Sequence, residues 1–346
     1  MSVATGTTAM RQTGVRSKPL PLLPFIELVM LAALVATPFV LASRPELITL
    51  MTNVLILSLL ALSFDLCWGF SGIMSYGQAL FFGVAGYVVA LVGRDLDFSQ
   101  MWGTLPLAML IGALLAAALA AFLLLGRKTP TSIFVAFGTL TGAYAAERLV
   151  AGWQYVGAGN GLSSIKLMAL GSYEFVEGFE FYSVALAALV IFYLLSRMIA
   201  RSQLGLVLAG MRQNEERLAF FGYRVQVFKA LIFTFSGAIA GLSGALYSYH
   251  QGFTGPTNLG PGLSTTAVIY CLFGGSGTLI GPVIGTIAIE LLSYVLADTD
   301  AIRQFWPVIL GVVLLVVVMF QPTGLLGLVV SARERIGSFG ARRRAG

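Results

Sequence analysis

LSTTAVIYCLFGGSGTLIGPVIGTIAIELLSYVLA, residues 263–297, is an apolar run nearly twice as long as the about 20 residues one helix needs to cross a bilayer. Its middle, Gly274-Gly-Ser-Gly-Thr-Leu-Ile-Gly-Pro282, gathers glycines and a proline, which interrupt helices. The run therefore predicts two shorter elements joined by a turn. Charge points the same way. A single span would carry the tail with Arg333, Arg335, Arg342, Arg343 and Arg344 to the outer face, against the positive-inside rule, whereas two elements return it to the cytoplasm.

The rest of the chain has the same character. It is 58% hydrophobic and 10% charged over 346 residues, with a mean hydropathy of +0.89, which excludes soluble folds. Further apolar segments cover about residues 25–42, 47–66, 77–93, 103–125, 131–150, 181–200, 228–249 and 305–320. The expectation is an all-α polytopic membrane protein of about ten transmembrane passes, with two Gly-rich helix breaks and both termini cytoplasmic. A cytoplasmic tail spans 1–24, the membrane domain 25–328, and a basic cytoplasmic tail 329–346. The basic N-terminus puts Arg127, Lys128 and the 201–226 loop inside, and the 151–180 loop, with Glu174, Glu177 and Glu180 against Lys166, outside. The first apolar run is long for a signal-peptide core and reads as an uncleaved span. Forty glycines suit helices that pack closely in lipid, and a net charge of +6 distributed between spans reads as topology, not as affinity for nucleic acid.

The other Gly-rich interruption is Gly69-Phe-Ser-Gly-Ile-Met-Ser-Tyr-Gly77. Cys67 to Gly77 and Cys271 to Gly281 share Cys, Ser-Gly and a closing Gly, a pattern that fits either an internal repeat or coincidence in a Gly-rich chain. Non-helical backbone at membrane depth is tolerated where protein or a water-filled cavity satisfies it, and paired interruptions often mark a transport path. Asp65, Ser71, Gly72, Gln78, Gly275, Ser276, Gly277 and Pro282 are accordingly candidates for a translocation path or gate. Asp65 fits a pathway role or a helix cap near the cytoplasmic face equally well. Glu147 with Arg148, and Glu290, are further ionisable residues in or near spans.

Enzymatic machinery is not evident. His250 is the single histidine, the two cysteines lie in apolar surroundings, and no P-loop is present, so ATP, where it is used, belongs to another subunit. A stand-alone channel or ion-coupled carrier would call for several buried ionisable residues along a path, and only Asp65 and Glu290 qualify. The charges instead concentrate in one place. Arg197, Arg201, Arg212, Glu215, Glu216, Arg217, Arg224 and Lys229 cluster around the 201–226 loop, where they are expected to face water and a soluble partner.

QNEERLAFFGYRVQVFKALIFTFSGAIAGLSGAL (Gln213 to Leu246) resembles the cytoplasmic loop and following helix of the permeases of branched-chain amino acid ABC importers. FSGIMSYGQALFFGVAGY (Phe70 to Tyr87), NGLSSI (Asn160 to Ile165), FGGSGTLIGPVIG (Phe273 to Gly285) and QPTGLLGL (Gln321 to Leu328) resemble motifs of the same family in the same order. The resemblance implies a non-catalytic permease of a bacterial inner membrane, embedded in the lipid bilayer. Its partners would be a second related permease, two cytoplasmic ATPase subunits that bind ATP and Mg, and a periplasmic solute-binding protein. This chain itself would bind no cofactor. The resemblance assigns Arg212, Asn214, Glu215, Glu216 and Gly222 to coupling with the ATPase. Branched-chain amino acids are the first substrates it implies, with urea or short amides next. Gln78 stands where many members carry His, and Ala145 stands where members often carry the acid that precedes Arg148.

Overall fold

The structure is a computed structural model that describes residues 22–125 and 131–297, with 308, 309, 311, 312, 315 and 324–326. Residues 1–21 of the expected 1–24 tail, the 329–346 tail, Arg127 and Lys128, and most of the 305–320 segment lie outside the described residues, and residues 22–24 already belong to the first helix.

Eleven helices carry the described fold: α1 Leu22–Val40, α2 Pro45–Asp65, α3 Gln78–Asp95, α4 Met101–Leu123, α5 Ser132–Gly152, α6 Phe179–Arg201, α7 Gln203–Gln213, α8 Glu215–Phe220, α9 Val225–Gln251, α10 Pro261–Gly274 and α11 Ile280–Ala297. Among the described residues, five helical stretches are long and apolar enough to cross a membrane: Pro45–Phe70, Met101–Leu123, Ser132–Gly152, Phe179–Arg201 and Val225–Gln251. Shorter apolar helices run over Pro24–Val40, Pro261–Gly274 and Ile280–Leu296. The long 263–297 run is broken, as its glycines predict, between Gly274 and Ile280. The break is narrower than the sequence indicates. Pro282 falls in the first turn of α11, where a missing N–H costs nothing.

α2 is the axis of the molecule. Apolar on every side, it has no face to offer to solvent, and from Val54 to Asp65 each of its residues is buried. α9 lies beside it and presents Ser236, Gly237, Ala240, Gly241, Ser243 and Gly244, all buried, to its neighbours. The serine hydroxyls cross between helices, Ser236 Oγ donating to Ser63 O and Ser243 Oγ to Ile56 O, both at 2.6 Å. α4 meets the same stripe so closely that a Cβ on Gly112 would stand 2.3 Å from Gly237 O. Here the glycines do serve packing, since small residues let backbones approach.

α5 and α6 lie at the edge and expose apolar side chains such as Phe137, Leu149, Ile191 and Met198, a surface suited to lipid and not to water. α1 is fastened to α6 by Tyr182, whose hydroxyl donates to Leu34 O at 2.6 Å. Glu27 pairs with Arg197 and accepts from the Tyr193 hydroxyl at 2.8 Å. Arg197 was expected to face water with the rest of its cluster. It turns instead toward Glu27 on α1, with 21% of its side chain still exposed.

Short strands close the end of the bundle opposite α7 and α8. β1 (Leu162–Ser163) pairs antiparallel with a strand at Phe253–Thr254, so the NGLSSI motif is anchored just beyond the end of α9. The 151–180 loop also holds two short helical turns, Gln154–Val156 and Ala158–Asn160, and a hairpin of Ala169–Leu170 with Tyr173–Glu174.

Candidate functional site: a junction of two helix breaks

After Asp65 the first break begins as a wide helical turn, Leu66–Phe70, and continues without helix to Gly77. The second break links α10 to α11. The two come together at Asp65, a residue with no exposed surface. Its Oδ1 accepts from the Gly277 N–H at 2.6 Å and from the Cys271 thiol at 3.2 Å, and its Oδ2 accepts from the Leu279 N–H at 3.1 Å. Burying a carboxylate is costly unless its lone pairs are satisfied, and here three donors converge on it. Two of them are backbone groups just before α11, so Asp65 caps a helix other than its own. Thr278 completes the cap, accepting from the Gly281 N–H at 3.0 Å.

Glycine is required on both sides of this contact. A Cβ on Gly69 would lie 2.1 Å from Asp65 Oδ1 and 2.5 Å from Gly277 N. Gly277 has φ +78°, a conformation that side chains disfavour. Gly324, the described start of the QPTGLLGL motif's helical turn, packs on the same break, since a Cβ there would stand 2.4 Å from Gly275 N.

The extended part of the first break is satisfied by neighbouring helices, as buried backbone must be. The Tyr76 N–H donates to Thr139 Oγ1 at 3.0 Å, and Tyr76 O accepts from Ser264 Oγ at 2.6 Å. Ser264 Oγ in turn accepts from the Ala79 N–H at 3.1 Å, which caps α3 from outside. Gln78 is fully buried beside this turn. Its Oε1 accepts from Ser63 Oγ at 3.2 Å and Ser236 Oγ at 3.3 Å, and its Nε2 lies 3.5 Å from Cys67 Sγ.

Of the proposed pathway residues, Asp65 and Gly277 are directly bonded, with Gly275 in the same turn. Ser71 donates to Cys67 O at 2.5 Å within the first break, Gly72 has φ +74°, and Ser276 is half-buried in the second break. Gln78 belongs to the separate polar cluster around Ser63 and Ser236, and Pro282 to the body of α11. Leu279, Thr139 and Ser264 were not singled out from the sequence, and Gly69 and Cys271 were noted only as parts of the Gly-rich breaks and their possible repeat. Their roles depend on chain segments far apart, as with the 212 residues between Asp65 and Gly277. Glu290 is held by the Tyr270 hydroxyl. Among the described residues no three His, Cys, Asp or Glu side chains gather as a metal site.

The charged segment stands at the same end as the junction. α7 buries Gly205, Leu208 and Met211 against the bundle, and α8 projects outward. Arg212 sends Nη1 to Gly69 O at 2.6 Å while much of the residue stays exposed. Asn214 caps α8 by accepting the Arg217 N–H at 3.0 Å. Glu215 holds Lys229 at 2.5 Å, and Lys229, expected to face water, is buried by that partner. Glu216 and Gly222 are exposed, Gly222 with φ +86° in the turn after α8. The sequence reading passed over Phe220 and Phe221, which are 89% and 79% exposed at the tip. Two consecutive aromatic side chains just after the charged stretch Asn214 to Arg217 are the signal that marks them.

The family described as branched-chain amino acid transport system / permease component has a model that matches residues 46–318 of this chain. The high-affinity branched-chain amino acid transport system permease proteins LivM of Salmonella typhimurium and Escherichia coli K12 are similar to it, each 24% identical over 320 residues, covering 86% of this chain and 73% of theirs. The autoinducer 2 import system permease protein LsrC of Salmonella paratyphi B is 27% identical over 276 residues, 72% of this chain and 77% of its own. No solved structure matches the chain.

Proposed function

The chain belongs to the family of branched-chain amino acid transport permease components, and on that premise we propose that it is the membrane-spanning permease of an ATP-binding-cassette importer. It works in a bacterial inner membrane with a second related permease, two ATPase subunits that bind ATP and Mg, and a periplasmic binding protein. The observation that carries this reading is the α7–α8 segment. Its inner side is tied to the junction of helix breaks, and its outer side ends in Phe220 and Phe221, an apolar tip on a charged, water-facing loop. Exposed aromatic pairs of this kind are the anchors protein interfaces use, and an ATPase subunit is the partner that the family premise supplies.

The solute is a branched-chain amino acid. The family description and the LivM relatives, which match over more of the chain than LsrC does, support this choice. Affinity rests mainly with the binding protein, so the permease needs no deep trap of its own. Uptake of labelled leucine by membranes containing the full set of subunits tests the reading, with urea and autoinducer 2 as competitors. Leucine uptake that needs ATP and the binding protein is expected. Uptake of urea or autoinducer 2 in its place overturns the substrate, and uptake by this chain alone overturns the importer.

A further inference from the structure

Arg212 lies in the last turn of α7, where a residue of a partner-docking loop would ordinarily reach outward. Its guanidinium reaches inward. In the first break the Gly72 N–H bonds to Trp68 O and the Ile73 N–H to Cys67 O, which leaves the Gly69 carbonyl for Arg212. The same nitrogen would stand 2.9 Å from a Cβ on Gly277, so the guanidinium sits over the point where the two breaks touch. Asp65, one turn before Gly69, grips the far side of that point through Gly277, Cys271 and Leu279.

These contacts form one mechanical chain. α7 is seated on the bundle by Leu208 and Met211, and its last turn carries Arg212. Gly69 has no side chain separating it from Gly277, and Asp65 joins both breaks. A displacement of α7 therefore either pulls Gly69, and with it the start of α11, or ruptures the Arg212 bond.

We propose that Arg212 is a positioning residue that transmits movement of the α7–α8 segment to the Asp65 junction, and that it is not itself a contact to the ATPase. The proposal rests on the importer reading given above. It divides the loop into an outer docking part, Phe220 and Phe221, and an inner transmitting part, Arg212. A hydrogen bond from a charged donor suits this task, since it is strong enough to carry a displacement and can still break and re-form.

The test uses the complete transporter in proteoliposomes, with Arg212→Gln and Arg212→Lys compared with the native chain. Arg212→Gln is expected to retain its ATPase subunits and hydrolyse ATP while uptake falls about tenfold or more, the loss expected for one charge-assisted hydrogen bond. Arg212→Lys, which keeps a cationic donor, is expected to recover most of the uptake. Loss of the ATPase subunits from Arg212→Gln makes Arg212 a docking residue and overturns the proposal, as does unaltered uptake. An independent measurement keeps Arg212 intact. In a Cys67→Ser background Cys271 is the sole cysteine, and its alkylation reports whether the junction opens. Alkylation that differs between the nucleotide-free and vanadate-trapped complex is expected, and identical rates overturn the proposal even where Arg212→Gln does not accumulate. A native chain that brings down no ATPase subunit fails at an earlier point, sinking the importer reading and the transmission role together.

Discussion

Lys229 at the start of α9 and Glu215 at the start of α8 form an ion pair of 2.5 Å in which the lysine side chain is only 6% exposed. The pair joins the outward-projecting α8 to the body of the bundle. Removing one partner leaves the other charge unequal to its surroundings, and the more deeply buried lysine suffers more.

Glu215→Gln is therefore expected to destabilise the chain by about 2 kcal/mol, less than a fully buried pair would because the glutamate is partly solvated. Lys229→Met should cost less, since its long apolar stem is kept and no buried cation remains. Combining the two should restore part of the Glu215→Gln loss. Thermal melting of the four proteins in one detergent checks the order. A double variant no more stable than Glu215→Gln contradicts the pairing.

Phe220 and Phe221 make the opposite prediction. Being 89% and 79% exposed, they contribute little to the fold, so Phe220→Ala with Phe221→Ala should change melting by no more than about 0.5 kcal/mol. Their value lies at an interface, where an aromatic anchor typically contributes about 2 kcal/mol or more. Copurification of ATPase subunits should drop sharply. Full recovery of those subunits by the double variant would remove the tip from the docking surface.

At the junction, Asp65→Asn keeps the volume but leaves one acceptor oxygen for three donors, and charged hydrogen bonds are worth about 1.5–3 kcal/mol each. Gly69→Ala fails for a different reason, because its methyl group would fall 2.1 Å from Asp65 Oδ1 and 2.5 Å from a backbone nitrogen that cannot swing away. Both should lower melting temperature and abundance, and Gly69→Ser should do no better than Gly69→Ala. By contrast Gly222→Ala, in an open turn with φ +86°, should show only the strain of its backbone, about 1 kcal/mol. Wild-type melting for Gly69→Ala would mean that the breaks do not meet as described.

Much of this was legible one residue at a time. The glycines at 274–277 announced the interruption of the 263–297 run, and the largely apolar 47–66 segment announced a membrane span. What the sequence could not convey was pairing. Asp65 was readable as a cap or a pathway residue, but the helix it caps begins more than two hundred residues later, and one chain carries no signal for that contact. Pro282 was misleading because proline breaks a helix in its interior and is welcome in its first turn. The charge cluster was read as uniformly wet because desolvation argues against buried charge. Arg197 and Lys229 escape that argument through Glu27 and Glu215, neither of which can be matched to its partner by spacing alone.

Gln78 separates a structural from a transport role. Ser63 Oγ and Ser236 Oγ each already have a carbonyl acceptor at 2.6 Å, to Leu60 and Ser63, so their bonds to Gln78 at 3.2 and 3.3 Å are secondary. Gln78→Leu should thus leave no serine unsatisfied and cost about 1 kcal/mol. Gln78→Glu places a charge among hydroxyls and a thiol with no cation bonded to the site among the described residues, and should reduce folded protein severely at neutral pH. If Gln78 borders the path, Gln78→Leu accumulates normally and melts near the native temperature while uptake changes. The decisive measurement is uptake per folded molecule, and a native rate for Gln78→Leu would confine Gln78 to packing at the start of α3.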